Sequence, residues 1–542
     1  MQRKSVVALI TLALAAVLGV AGDLLLRVEP WGINAFVAAL ALGVGFHALI
    51  RRLDLPLHGT AAWLSAVVPL LAAILAWRAS PTLMLLAVMG VLLALVGASL
   101  AAHGRTLRNA GTWDVAAEGA ATGLHAGLGV FQLLRDVRPG EIRWAPWNTK
   151  VGAVVRGVVI AIPLLVVFGM LFMAADAAFA RLITDLFRVD LEVLMSHIVL
   201  AGFFTWIAAG YLHWIVANDG SRVPRSDGLG VRLGALETGV ALGMVTVLFV
   251  AFIVVQFTYL FGGEALVQAT TGLTYAEYAR SGFFEMVTVA FLGLPLLLVA
   301  LWLVRGEAPR SQVIMRIIAA GLVVLIFVIM GSALYRMRLY QEAYGLTHLR
   351  FHTTAFIAWL TVVFLIFAAT VLRGVPRYFT TGAIATALAS VILLAVVNPD
   401  ARIAATNVER ARDGAEFDAD YVRELSADAV PTLVAALPSL MEADRCATAH
   451  WLVQQWGAGA ERDRSDDWRT WNYARATARR VVRENEVMLR GVACPPAPEV
   501  PAQLEREDAS GRAGPATDAA AHQAARLSSK STANPDRSFA IQ

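Results

Sequence analysis

Apolar residues in this chain gather into long, nearly uninterrupted runs rather than alternating or repeating on a heptad. A helix needs roughly 17–25 such residues to cross a bilayer. Runs of that length occupy residues 6–26, 33–50, 61–77, 83–102, 151–174, 193–216, 236–260, 283–304, 317–334, 353–372 and 379–397. The expected fold class is therefore all-α, a polytopic integral membrane protein of about eleven transmembrane helices. After residue 397 charge becomes balanced and apolar positions recur at helical spacing, which predicts a small C-terminal helical domain. From residue 495 large apolar side chains nearly vanish among Pro, Ala, Ser and charged residues, so a disordered tail is expected. The expected organisation is a four-helix membrane region (1–102), a cytoplasmic linker (103–150), a seven-helix membrane core (151–397), an extracytoplasmic helical domain (398–494) and the tail (495–542). Within the linker, Leu124, Leu128 and Phe131 stand at helical spacing, but this stripe is short and an ordinary interhelical connection is expected.

Composition agrees with the pattern. The chain is 58 % hydrophobic and 16 % charged, with a mean hydropathy of +0.63, against about 45–50 % apolar and 25 % charged for a soluble domain. Charge then sets orientation, because Arg and Lys collect in cytoplasmic loops. With the N-terminus inside, the inner loops hold eighteen basic residues and the outer loops eight. That bias predicts a cytoplasmic N-terminus and an extracytoplasmic C-terminal domain. No basic tract is dense enough for nucleic acid, and membrane lipid is the expected partner. Cys446 and Cys494 are the only cysteines. In an oxidising compartment they could pair, with two separate thiols as the alternative.

Candidate chemistry collects at the outer face: Asp176, Glu277, Arg280, Glu285, Arg336, Arg338, Tyr340 and Arg350. Arginine and tyrosine at a membrane exit suit an anionic headgroup or phosphate, and an acid at a span's start, such as Glu285, needs an arginine or a wet cavity. The block 332–350 reads as a helix continuing beyond the membrane, ended by Gly345, with Thr347 capping the next helix. His348 and His352 have i, i+4 metal spacing but no third ligand, and no nucleotide or hydrolase fingerprint appears, so no metal or cofactor is assigned. Three functions compete: binding of a lipid-linked or anionic ligand in an envelope or signalling role, a membrane transferase or ligase acting on a polyprenyl-phosphate-linked substrate, and transport.

The blocks RGVVIAIPLLVVFGMLFMAADAAFARL (156–182), VQFTYLFGG (255–263), TYAEYARSGFFE (274–285), YRMRLYQEAYGLTHLR (335–350), NPDARIAATNVER (398–410), LSADAVPTL (425–433) and DWRTWNYARA (467–476) resemble a bacterial multi-pass membrane family known as domain of unknown function 4173. The neighbouring family 4153 is the second choice. The resemblance implies this architecture in a bacterial inner (cell) membrane, and no activity.

Overall fold

The computed structural model describes residues 2–107, 110–136, 161, 165, 168–176, 179, 181, 191–217, 234–261, 282–461 and 467–494. The described residues contain helices and no strand. In chain order the long helices are α1 (Gln2–Leu26), α2 (Ile33–Leu53), α3 (His58–Trp77), α4 (Pro81–Ala102), α5 (Thr112–Asp136), α6 (Leu191–Ala217), α7 (Ala235–Phe261), α8 (Phe283–Leu303), α9 (Pro309–Tyr344), α10 (His348–Thr370) and α11 (Phe379–Val397). Ten of these, all but α5, are long and apolar enough to cross a membrane. Most of the fifth expected span, 151–174, lies outside the described residues, of which 168–175 are helical.

The chain divides into two units, Met1–Val492 and Ala493–Gln542, and the tail expected to be disordered, 495–542, lies outside the described residues. Within the first, three apolar clusters form. One joins α1 to α6 and includes Phe46, Leu64, Leu71, Leu133 and Leu212. A second joins α7 to α11 through Leu297, Leu322, Ile326, Phe364 and Phe367. Helix α11 belongs to both, giving Val391 and Ala395 to the first and Phe379 to the second, so it forms the seam between the two membrane halves. The outward faces keep large apolar residues exposed, among them Val44, Leu70, Leu85, Val247 and Leu393. Such a surface is unfavourable in water and suited to lipid.

Two details show how sequence shapes the packing. Pro69 in α3 lacks a backbone N–H, and the helix widens into a π-helical turn at Trp63–Val67 just before it. Gly210 lets α5 cross α6 at backbone contact, for a Cβ there would come within 2.3 Å of the His125 carbonyl oxygen.

The expected linker contains a 25-residue helix, α5. Its buried positions include Glu118, Thr122, Val130 and Leu133, whereas Leu124, Leu128 and Phe131 are exposed. The apolar stripe seen in the sequence is thus the outward face, and the inner face is held by a polar anchor. Glu118 is fully buried and accepts hydrogen bonds from Ser99 Oγ and from Trp214 Nε1 at 3.2 Å, with His103 Nδ1 at 2.9 Å. The Trp214 ring stacks on His125 at 3.7 Å and meets His103 edge-on at 4.8 Å. Burial pushes the Glu118 carboxyl up, but hydrogen bonds from His103, Ser99 and Trp214 outweigh it and leave the group below its ordinary value.

The C-terminal helices are α12 (Pro399–Arg412), α13 (Ala419–Val422), α14 (Val430–Ala436), α15 (Glu442–Trp456), α16 (Tyr473–Glu484) and α17 (Glu486–Arg490). They enclose the third apolar cluster, with Ile403, Leu433, Leu452, Ala478 and Val482 at its centre. Asp418 and Ser426 cap as side-chain acceptors, from the Tyr421 and Asp428 amides respectively. Cys446 and Cys494 are both in the disulfide-bonded form.

Candidate functional site

An α-helix ends with four backbone carbonyls that lack intrahelical partners, and the end of its macrodipole there is negative. Helices α1, α3, α9 and α11 all end at one face, where the C-terminal helices cover them. Arg469 Nη1 donates to the Leu24 carbonyl at the end of α1. Asn472 Nδ2 donates to Leu75 O and Arg78 O at the end of α3, at 2.7 and 2.9 Å. Arg410 Nη2 donates to Glu342 O and Ala343 O at the end of α9, at 3.0 and 3.1 Å. Arg78 Nε donates to Ala395 O near the end of α11, at 2.6 Å. Four membrane helices therefore receive cationic or amide donors at this face, three of them from the C-terminal domain, which forms a roof over it.

Two buried aspartates complete the junction. Asp428 accepts from Arg78 Nη1 at 3.0 Å and from the Ala79 amide at 2.7 Å, with Ser426 Oγ at 3.3 Å. Burial pushes its carboxyl above the ordinary value despite the Ala79 and Arg78 hydrogen bonds. Asp400 is fully buried, accepts from the Ser426 amide at 3.1 Å and from Ser80 Oγ at 3.4 Å, and lies 3.4 Å from His348 Nδ1. The Tyr421 hydroxyl accepts from the His348 amide at 2.7 Å. Burial raises that phenol to about 12.

The candidates read from the sequence sort differently against this frame. Gly345 does end α9, at φ +76, and the Thr347 side chain accepts from the Arg350 amide at the start of α10. The Arg350 guanidinium lies 4.0 Å over the Tyr340 ring, and its Nη1 donates to Tyr344 O and Gly345 O at 2.8 and 2.6 Å. That arginine closes the turn. Arg336 is buried in α9, and Arg338 is exposed. Glu285 is exposed in the first turn of α8 and forms no ion pair with Arg336 or Arg338 among the described residues. Asp176 is exposed and accepts from the Phe179 amide at 3.2 Å. Glu277 and Arg280 lie outside the described residues. The His348–His352 spacing serves helix geometry, since His352 Nδ1 sits 2.8 Å from the His348 carbonyl, and no metal-holding cluster occurs among the described residues.

Beneath the roof, a groove of about 420 Å³ opens between the roof-side halves of α4, α10 and α11. Leu86 and Met89 of α4, Phe356 of α10 and Leu388 and Leu394 of α11 make its walls apolar. Thr82, Ser390, His352 and Trp359 interrupt them, and of these groups His352 Nε2 and Trp359 Nε1 are buried without a hydrogen-bond partner. With the His352 Nδ1 proton committed to the His348 carbonyl, Nε2 offers a lone pair. Trp359, seven residues on and about 10 Å along the same helix face, offers an N–H donor. Each orphan costs about 1–3 kcal/mol while unsatisfied. In the sequence His352 stands only as half of a metal-spaced pair, and Trp359 carries no signal because an indole in an apolar run reads as packing.

Helices of membrane-crossing length, outward apolar faces and a roof fastened to one set of helix ends define a multi-pass, all-helical membrane protein. The chain belongs to the family described as domain of unknown function (DUF4153), which matches residues 61–436. Of the two families the sequence resembles, the match is to the second choice, and the first, 4173, gives way to it. No curated protein and no solved structure matches the chain.

Proposed function

We propose that this protein is a lipid-binding protein of a bacterial inner membrane, which holds the hydrocarbon chain of a lipid or lipid-linked ligand in the α4–α10–α11 groove beneath an extracytoplasmic roof. The observation that carries the reading is the pair of buried, unsatisfied groups, His352 Nε2 and Trp359 Nε1, set in mostly apolar walls. A bare hydrocarbon would leave both unsatisfied, whereas a chain bearing hydroxyl groups near its polar end satisfies both. An envelope or signalling role follows from the position of the groove directly under the roof junction, since an occupant touching His352 lies one helical turn from His348 and its contact with Asp400. The arginine bias of the loops and the disulfide-bonded cysteines both favour the roof facing an oxidising compartment.

The test is lipid retention. The full chain, purified in mild detergent, should carry a long-chain lipid at a proportion above its share of the membrane, read by mass spectrometry of the extracted protein. Joint replacement His352→Phe and Trp359→Phe should lower retention by roughly thirtyfold, at about 1 kcal/mol for each lost hydrogen bond. Identical lipid profiles on the wild type and the double variant would overturn the proposal.

A further inference from the structure

At the end of α9 opposite the roof, three arginines face a cavity of about 450 Å³. They come from separate parts of the chain: Arg305 just after α8, Arg316 in the second turn of α9, and Arg377 in the link before α11. No aspartate or glutamate lines the space among the described residues. Arg316 and Arg377 make no hydrogen bond or ion pair among the described residues. That sets them apart from the roof-side arginines Arg78, Arg350, Arg410 and Arg469, each of which is bound to a helix-terminal carbonyl.

The cavity wall orients the cations. The Arg305 guanidinium lies 4.7 Å over the Trp302 ring, and Arg377 lies 4.7 Å over Tyr378. Arg316 rests against the turn at Gly374, where φ is +83 and a Cβ would come within 2.9 Å of Nη1. Any other residue there would displace the guanidinium as well as strain the turn. Gln312 Nε2 donates to the Arg305 and Glu307 carbonyls at 3.1 and 2.9 Å, which fixes the loop carrying Arg305. The Trp302 indole N–H is buried without a partner. Below these groups Leu298, Val371 and Phe379 make an apolar floor.

We infer that this cavity binds a phosphate group, with Arg316 and Arg377 as its charged clamp and the apolar floor seating the carbon skeleton attached to it. Guanidinium groups match phosphate oxygens through paired N–H donors. Arg316 and Arg377, with no acidic partner among the described residues, carry like charges that repel one another, and a bound anion relieves that repulsion. The volume admits a phosphate with a few attached carbons, and the source is either the headgroup of an anionic phospholipid or a soluble phosphate compound. The site lies at the other end of α9 and α10 from the roof-side groove and shares no residue with it.

The test uses the purified full chain and two probes. In native mass spectrometry, phosphatidylglycerol should be retained in preference to phosphatidylcholine, and Arg316→Gln with Arg377→Gln should lower that retention by roughly tenfold. Inorganic pyrophosphate is the soluble probe. If it raises the thermal midpoint of the wild type but not of the double variant, and phosphatidylglycerol retention is unchanged, the source is a soluble phosphate. Loss of phosphatidylglycerol retention without a pyrophosphate effect assigns a lipid headgroup. Arg316→Lys with Arg377→Lys should keep part of the binding. Arg377→Gln alone, at an exposed position, keeps the comparison available if the double variant does not fold. Equal retention of both lipids by the wild type and the variants, with no pyrophosphate effect on either, overturns the inference. The groove variants at His352 and Trp359 leave this binding unchanged, so the two sites fail or hold separately.

Discussion

Replacing Asp428 with alanine should destabilise the purified protein by about 3–5 kcal/mol, the usual penalty for removing one partner of a buried ion pair, with the roof opening first. The side chain is almost wholly buried and its partner Arg78 nearly so. Without the carboxylate, Arg78 keeps only the Ala395 carbonyl, and the Ala79 amide at the start of the α3–α4 turn loses its acceptor. Protease sensitivity of the C-terminal helices should rise before the membrane helices unfold, and the thermal midpoint should fall. Glu486→Ala, which breaks the exposed Glu486–Arg490 pair on α17, should do little by comparison. The linkage of Asp428 to pH has a definite sign. Its folded value is raised above the ordinary 3.8, so its proton-linked increment of stability is present below that value and lost as pH rises through the folded one. Mild acidification therefore does not release the roof through this residue.

The second large effect is expected at Glu118. Alanine there removes the acceptor shared by Ser99, Trp214 and His103, all inside a site closed to solvent. Two stranded donors and an imidazole without its partner should cost about 3–5 kcal/mol together. The loss should appear as a lower thermal midpoint, with Trp214 fluorescence reporting a more mobile indole. Glu118→Gln keeps one carbonyl acceptor and should recover part of the stability. A variant as stable as the wild type would show that α5 is held by its apolar contacts alone, through Val130 and Leu133.

These two residues also show what was legible in the sequence. The membrane helices were, because burial in lipid demands continuous apolar runs that no other environment requires. So were the end of α9 at Gly345, the Thr347 cap and the helical content after Val397, since each follows from local chemistry. The polar constellation was less so. Arg350 stands among the ligand candidates because a free guanidinium and one bound to a helix-terminal carbonyl look alike in sequence. Only the fold shows which carbonyls lie within reach. Helix α5 was read as a connection because Leu124, Leu128 and Phe131 gave a short stripe, and that stripe faces outward. The face that holds the helix is polar, and Glu118 finds its partners on α4 and α6, far away in sequence. The orphaned Trp359 N–H had no signal in the sequence, because whether an indole finds an acceptor depends on its neighbours in space.

Both proposed sites take their meaning from one claim, that the roof and the groove beneath it face the extracytoplasmic side while the Arg316–Arg377 cavity faces the cytoplasm. Reporter fusions measure this directly. Alkaline phosphatase joined after Gln542 should be active and a cytoplasmic reporter there silent, whereas the same pair placed after Arg310, in the first turn of α9, should behave in the opposite way. A silent phosphatase after Gln542 with an active one after Arg310 would contradict the account, placing the roof, Cys446 and Cys494 in the cytoplasm.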